Sequence, residues 1–325
     1  MNKEFVALGG TLDRSGKRRS IGGSAYALRV GDDYLLIDSG LYPEQKKDLE
    51  FTPSFEVELE EVGGRKLPML NKLKLASFGE FSDEFNLPQY GFLKNAKNIY
   101  NVVTHAHLDH AGSTPALRRL YGDRVKIYMT EATFAIASWS WQDTVRLMNN
   151  RRQKIAYAKK DIENLSLKDG LNFVSTNETV QAGPFELTFF SSGHILGGVS
   201  VLVKTKDPEP VSLFFTSDIC FHDQNTVLSA PKLSPEIIGD VDYLVTETTY
   251  GGRTDAECLR KDIESDFVRE VENTLQRGGK VLLPTLAIGR SAEVMSILSH
   301  YGVLGRWPVW VDGAARNMLD IYTKY

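Results

Sequence analysis

The stretch His105-Ala106-His107-Leu108-Asp109-His110 packs four potential metal ligands into six residues. It begins where an apolar run, Ile99 to Thr104, stops, so these side chains are expected at the end of a buried strand. Neutral imidazole nitrogens and a carboxylate oxygen suit Zn²⁺, which binds them at about 2.0–2.2 Å. Alternation along an extended segment aims His105 and His107 the same way, and Asp109 and His110 can then turn toward a second ion.

Working outward, other polar residues also close apolar runs. Tyr34 to Ile37 reads as a buried strand that delivers Asp38 to a Ser39-Gly40 turn. Ser113-Thr114-Pro115 supplies an N-cap and a first-turn proline for a helix to about Tyr121. From Thr130 to Leu165 the pattern is helical, with Trp139, Trp141, Leu147, Ile155 and Tyr157 as core residues. Phe185 to Phe190 and Val199 to Val203 are expected strands joined by a glycine-rich loop that carries His194, and the strand Leu213 to Thr216 leads to Asp218. A single loop histidine serves equally well as a backbone partner, and a lone acid is more often a turn or cap residue. The place of His194 after the six-residue motif, and of Asp38 and Asp218 at the ends of apolar strands, makes all three ligand-related candidates.

Between Pro43 and about Asn98 the composition turns charged, which predicts an excursion with one exposed strand near Phe55 to Glu61 and no chemistry. After the expected strand Tyr243 to Thr246 a β-α-β rhythm follows: helix Asp255 to Gln276, strand Lys280 to Leu283, helix Arg290 to His300, strand Val309 to Val311. That rhythm predicts a parallel sheet with crossover helices.

A chain of 325 residues, 42% apolar, can bury one or two cores. Its apolar runs are strand-length and the N-terminus lacks an apolar leader, so no membrane association and a cytoplasmic location are expected. Two cysteines, Cys220 and Cys258, without zinc-type spacing fit a reducing compartment and argue against a disulfide framework. A net charge of −4 excludes nucleic-acid binding driven by overall basicity. Local clusters remain at Lys17, Arg18 and Arg19, at Arg118 and Arg119, and at Arg151 to Lys160, each of which reads first as a solvated face.

The six-residue motif, with Asp38 in Leu-Leu-Ile-Asp-Ser-Gly, His194 in Ser-Gly-His-Ile-Leu-Gly-Gly and Asp218 in Phe-Thr-Ser-Asp, resembles the metallo-β-lactamase superfamily. Thr246-Glu247-Thr248-Thr249-Tyr250-Gly251, Gly278 to Pro284 and Ala287 to Glu293 resemble its β-CASP branch, closest to the mRNA 3′-end cleavage nuclease and its archaeal and bacterial relatives, with RNase J more distant. The resemblance implies an α/β fold: a metallo-β-lactamase αββα sandwich over 1–250, with the charged insertion at 43–98, followed by part of a β-CASP parallel α/β domain over 251–325. It implies one zinc on His105, His107 and His194, a second on Asp109 and His110, Asp218 shared, and Asp38 orienting a ligand histidine.

The implied activity is a ribonuclease, endo- or 5′-exonucleolytic, working through a metal-bridging hydroxide, with Asp109, Glu247 and Asp38 in the catalytic group. RNA is the implied partner, single-stranded DNA the alternative, and Arg18, Arg19 and Arg290 are candidate substrate contacts. Ser217 and Ile219 stand where relatives usually have Gly and Phe, and Ser291-Ala292 where they have Ala-Gln. The family's two further histidines, one of which pairs with the acid at Glu247, have no match in His222 or His300. The expectation is therefore one well-formed zinc site, a weaker second one, exposed apolar sheet edges, and either a truncated enzyme, a split one completed by a C-terminal chain or a homo-oligomer, or a degenerate copy, the first two favoured because every upstream motif residue is intact. Two other readings are weighed: a non-catalytic β-CASP partner subunit, and a thioesterase- or lactonase-like small-molecule hydrolase.

Overall fold

The computed structural model of the chain describes residues 3–9, 23–41, 74–77, 87–88, 90–167, 170–249 and 260–325. Strands β1 (Lys3–Gly9), β2 (Ala25–Val30), β3 (Asp33–Ile37), β4 (Lys74–Ser77) and β5 (Asn98–Val102) precede helices α1 (Leu108–Ala111) and α2 (Thr114–Tyr121). Then come β6 (Val125–Met129), α3 (Glu131–Asn150), α4 (Lys159–Leu167), β7 (Leu171–Phe173), β8 (Thr179–Ala182), β9 (Phe185–Ser191), β10 (Val199–Thr205) and β11 (Ser212–Phe215). The order closes with α5 (Pro235–Ile238), β12 (Tyr243–Val245), α6 (Arg260–Gln276), α7 (Arg290–His300) and α8 (Ala314–Lys324).

The strands form two sheets, ordered β4-β1-β2-β3-β5-β6-β7 and β12-β11-β10-β9-β8. Period-two alternation decides what each face buries. On β3, Leu35 and Ile37 join Val102 of β5 and Tyr128 of β6 in a core shared with Leu187 and Phe189 of β9, Val201 and Val203 of β10, and Leu213 and Phe215 of β11. The opposite face of the larger sheet turns Tyr34, Leu36, Ile99 and Ile127 toward Leu117 of α2, Ile136 and Trp141 of α3 and Ile162 of α4. Phe190, Leu202 and Phe214 cover the outer face of the smaller sheet with Leu233 and Ile238. Each fully buried side chain of this size contributes about 1.5–3 kcal/mol. The result is the expected layering, helices on either side of two face-to-face sheets.

Three local expectations change. The helical pattern from Thr130 to Leu165 is two helices, broken where Arg152 takes φ +54° and the Gln153 amide donates back to Met148 O at 2.9 Å. That closure is a Schellman cap with arginine in the position glycine usually fills, so no glycine marked the stop. Lys280 to Leu283 and Val309 to Val311 are not strands: a strand exists only through its partner, and among the described residues neither segment has one. Leu282 and Trp310 are 88% and 84% exposed. The exposed strand expected near Phe55 to Glu61 lies outside the described residues, whereas β4, inside the same charged excursion, pairs parallel to β1. Ser113 does stand at the N-cap of α2, but its hydroxyl donates to Ser39 O and Gly40 O. No helix of the described residues is long and apolar enough to cross a membrane.

Candidate metal centre

The centre gathers at the ends of β3, β5, β9 and β11. Past β3, Asp38 is 2% exposed and takes φ +62°, a left-handed conformation that aspartate tolerates better than most residues. The chain then runs against α1: Ser39 N–H donates to His110 O, Leu41 N–H to Leu108 O and Ser24 N–H to Asp109 O, at 2.7–2.8 Å. Gly40 lies so close to this helix that a Cβ there would sit 1.8 Å from Asp109 O.

The Asp38 carboxylate holds the motif from below. Oδ1 accepts the Thr104 N–H at 2.8 Å, and Oδ2 accepts the Thr104 hydroxyl at 3.0 Å and His110 Nδ1–H at 2.7 Å. With Nδ1 committed, His110 presents Nε2 to Asp218 Oδ1 at 3.4 Å and Asp109 Oδ2 at 3.9 Å. Burial disfavours charge on His110, but the Asp38 carboxylate and its hydrogen bond, with Asp218 and Asp109, outweigh it and raise the pKa to about 9.

The other three histidines face one another. His107 Nδ1 lies 3.1 Å from His105 Nε2 and 3.2 Å from His194 Nε2, and Asp218 Oδ2 lies 3.7 and 3.5 Å from those two Nε2 atoms. Four ligand atoms, one from each of His105, His107, His194 and Asp218, fall within 4.8 Å of one another. Burial and mutual repulsion hold His105 well below the usual imidazole range, and burial with neighbouring His194 lowers His107 to about 4. His194 is lowered chiefly by burial. Neutral imidazoles with converging lone pairs are what a metal ion takes, and three nitrogens with one oxygen suit a borderline-soft cation better than Mg²⁺ or Ca²⁺. Asp218 thus turns Oδ2 to the three-histidine group and Oδ1 to His110.

Glu247, past β12, accepts the Ile219 N–H on Oε1 at 2.8 Å, which ties it to the residue after Asp218. Arg290 is exposed at the first turn of α7, while Arg18 and Arg19 lie outside the described residues. His222 and His300 are exposed and stand apart from the cluster. Cys220 is half-buried, with its thiol on His222 O; Cys258 lies outside the described residues.

Sequence reasoning passed over two residues of the centre. Thr104 bonds Asp38 twice and shares a 2.6 Å hydrogen bond with the Ser217 hydroxyl, and both hydroxyls lie within 3.3 Å of His105 Nδ1. The signal for Ser217 was its replacement of the usual glycine, since it takes φ +54°.

Residues 97–203 match the family model described as metallo-beta-lactamase superfamily. The RNase J-like protein of Methanocaldococcus jannaschii is 31% identical over 228 residues, 69% of this chain and 49% of the relative. Transcription termination factor FttA of Thermococcus kodakarensis is 27% identical over 310 residues, 94% of this chain and 42% of the relative. Endoribonuclease ysh-1 of Neurospora crassa is 28% identical over 253 residues, 75% of this chain and 28% of the relative. The chain thus spans less than half the length of these curated relatives.

Proposed function

This chain belongs to the metallo-β-lactamase superfamily, in its β-CASP nuclease branch, and from that premise we propose that it is a zinc-dependent phosphodiesterase acting on RNA. The observation that carries the reading is the splitting of Asp218 between two donor groups, Oδ2 toward His105 and His194 and Oδ1 toward His110. His105, His107, His194 and Asp218 would hold one ion, and Asp109, His110 and Asp218 a second. When bound, such a pair supplies positive charge that stabilises the oxygens entering and leaving phosphorus in an in-line displacement.

The chain's own residues prepare the centre. Asp38 holds one proton of His110 on Nδ1, which leaves Nε2 as the ring atom an incoming ion would take in place of the other. Thr104 and Ser217 steady His105 at Nδ1. Glu247 holds the main chain after Asp218 through the Ile219 N–H. Arg290 is a candidate phosphate contact, since the preceding Gly289 packs on Ile195 beside His194.

RNA rather than DNA rests on the names of the relatives, the RNase J-like protein and the endoribonuclease. The test is elemental analysis of the purified chain, with labelled single-stranded RNA and DNA of one sequence incubated with and without a chelator. Metal retention with chelator-sensitive RNA cleavage supports the reading. A chain that takes up no zinc and neither binds nor cuts either strand refutes it.

A further inference from the structure

Glu293 on α7 is 1% exposed, and the reading above gives it no part. A buried carboxylate is costly unless its oxygens are fully engaged. Oε1 accepts the Asn225 N–H at 2.8 Å and the Asn225 side-chain amide at 3.2 Å. Oε2 accepts the Thr226 N–H at 3.0 Å and the Thr226 hydroxyl at 2.7 Å. Arg260 of α6 completes the set as an ion pair. Glu293 therefore staples the segment after β11 to the helical unit formed by α6 and α7.

The residue before the staple turns the other way. Gln224 Nε2 donates to Gly193 O and to His194 O, both at 2.8 Å. The same segment leaves no room above Gly193, which takes φ +67°: a Cβ there would lie 2.4 Å from Ala230 N and from Cys220 O. The far end of the His194 loop is held independently, by the Thr130 and Thr133 hydroxyls, which both donate to Gly197 O at 2.9 Å. One end of the loop is therefore anchored by α3 and the other by a strap whose position depends on α7.

We propose that Glu293 is a positioning residue for the metal centre: through the strap at 224–226 it fixes the main chain of His194, and so sets how well His105, His107, His194 and Asp218 grip an ion. The inference rests on the metal-dependent reading above. It makes the helical unit a determinant of the metal centre although it contributes no ligand, because a shift of α7 is carried by two consecutive sets of hydrogen bonds to a ligand's own carbonyl.

The test uses the 325-residue chain with Gln224→Ala, Glu293→Gln, Glu293→Asp and the double variant Gln224→Ala/Glu293→Gln, each checked by circular dichroism and melting. Zinc affinity is measured by competition with a chromophoric chelator, and ligand arrangement from the visible bands of the Co²⁺-loaded protein. Loss of an outer positioning contact typically costs about 10- to 100-fold in metal affinity, so both single variants should lose that much at the first ion and shift the cobalt bands. Glu293→Asp, which keeps the charge, should recover part of the loss. The double variant should be no worse than the weaker single one, since both cut one route.

If Glu293→Gln does not fold, Gln224→Ala decides alone, because Gln224 is only half-buried. Affinities within about threefold of the parent with unchanged cobalt bands, or losses that simply add, overturn the proposal. A parent chain that binds neither zinc nor cobalt fails at the earlier step and refutes the metal-dependent reading itself.

Discussion

Asp38→Asn is the sharpest probe of the centre because, in a side chain of the same shape, it removes one buried charge and changes where one proton sits. Asparagine has the same shape and tolerates the φ of +62° at this position. The Asp38 carboxylate accepts from three donors: Thr104 N–H, the Thr104 hydroxyl and His110 Nδ1–H. Asparagine offers one acceptor oxygen, which the fixed Thr104 amide claims, so its NH₂ group must face His110. The ring then has to accept at Nδ1 and carry its proton on Nε2, the atom that points at Asp218 Oδ1 from 3.4 Å. A protonated Nε2 has no lone pair for a metal.

The lost contact is a charge-assisted hydrogen bond, worth about 1.5–3 kcal/mol, and 1.4 kcal/mol is tenfold in affinity. The second ion should therefore bind about 10- to 150-fold more weakly, while the first, on His105, His107 and His194, stays within about threefold. Zinc titration against two chelators of different strength separates the two steps, and ¹⁵N shifts of the His110 ring report which nitrogen holds the proton. Equal affinity for the second ion in parent and variant, or a loss confined to the first ion, would refute the assignment of Asp38 and His110.

Three further outcomes follow from the same geometry. Zinc at about a hundredfold over its dissociation constant should stabilise the chain by about 2.7 kcal/mol, roughly 4 °C in a melting scan of a chain of 325 residues, and a chelator should reverse it; an unchanged midpoint argues against binding to the folded state. Gly193→Ala should cost the fold at least about 1–2 kcal/mol for the left-handed backbone alone, with more from the contacts at 2.4 Å, and urea denaturation at a midpoint equal to the parent's would contradict the strap's close approach. Although burial pushes the Glu293 carboxyl upward, bonds from Asn225 and Thr226 and the charge of Arg260 outweigh it and hold the group below the usual carboxylate range. Its stabilising contribution is therefore complete above the unfolded value near 4.5 and is lost as pH falls through the lower folded value. Denaturant melts between pH 3 and 6 should show a shallower pH slope in Glu293→Gln than in the parent; identical slopes would mean that Glu293 is not held ionised.

By itself the sequence determined the parts of this protein that depend on local pattern. Apolar runs named β3, β5, β10 and β11, because a strand buried on both faces has to be apolar along its length, whereas β9 alternates, with Glu186 and Thr188 half-buried between buried Phe185, Leu187 and Phe189. The polar residues that stop those runs are Asp38, His105, His194 and Asp218, and a polar group at a strand end is free to leave the core. The same local logic failed where a partner decides. Lys280 to Leu283 has a strand's composition and no strand beside it among the described residues, and α3 ends on an arginine where composition would ask for glycine.

Only the tertiary structure decided which oxygen of Asp218 faces which histidines, and that Asp38 spends its charge on His110. Only it linked Glu293 to His194, 99 positions apart in the numbering, through Gln224. The physical reason is that hydrogen bonds and metal sites need atoms within about 3–4 Å, in a set direction, and sequence spacing carries neither quantity once the chain has turned.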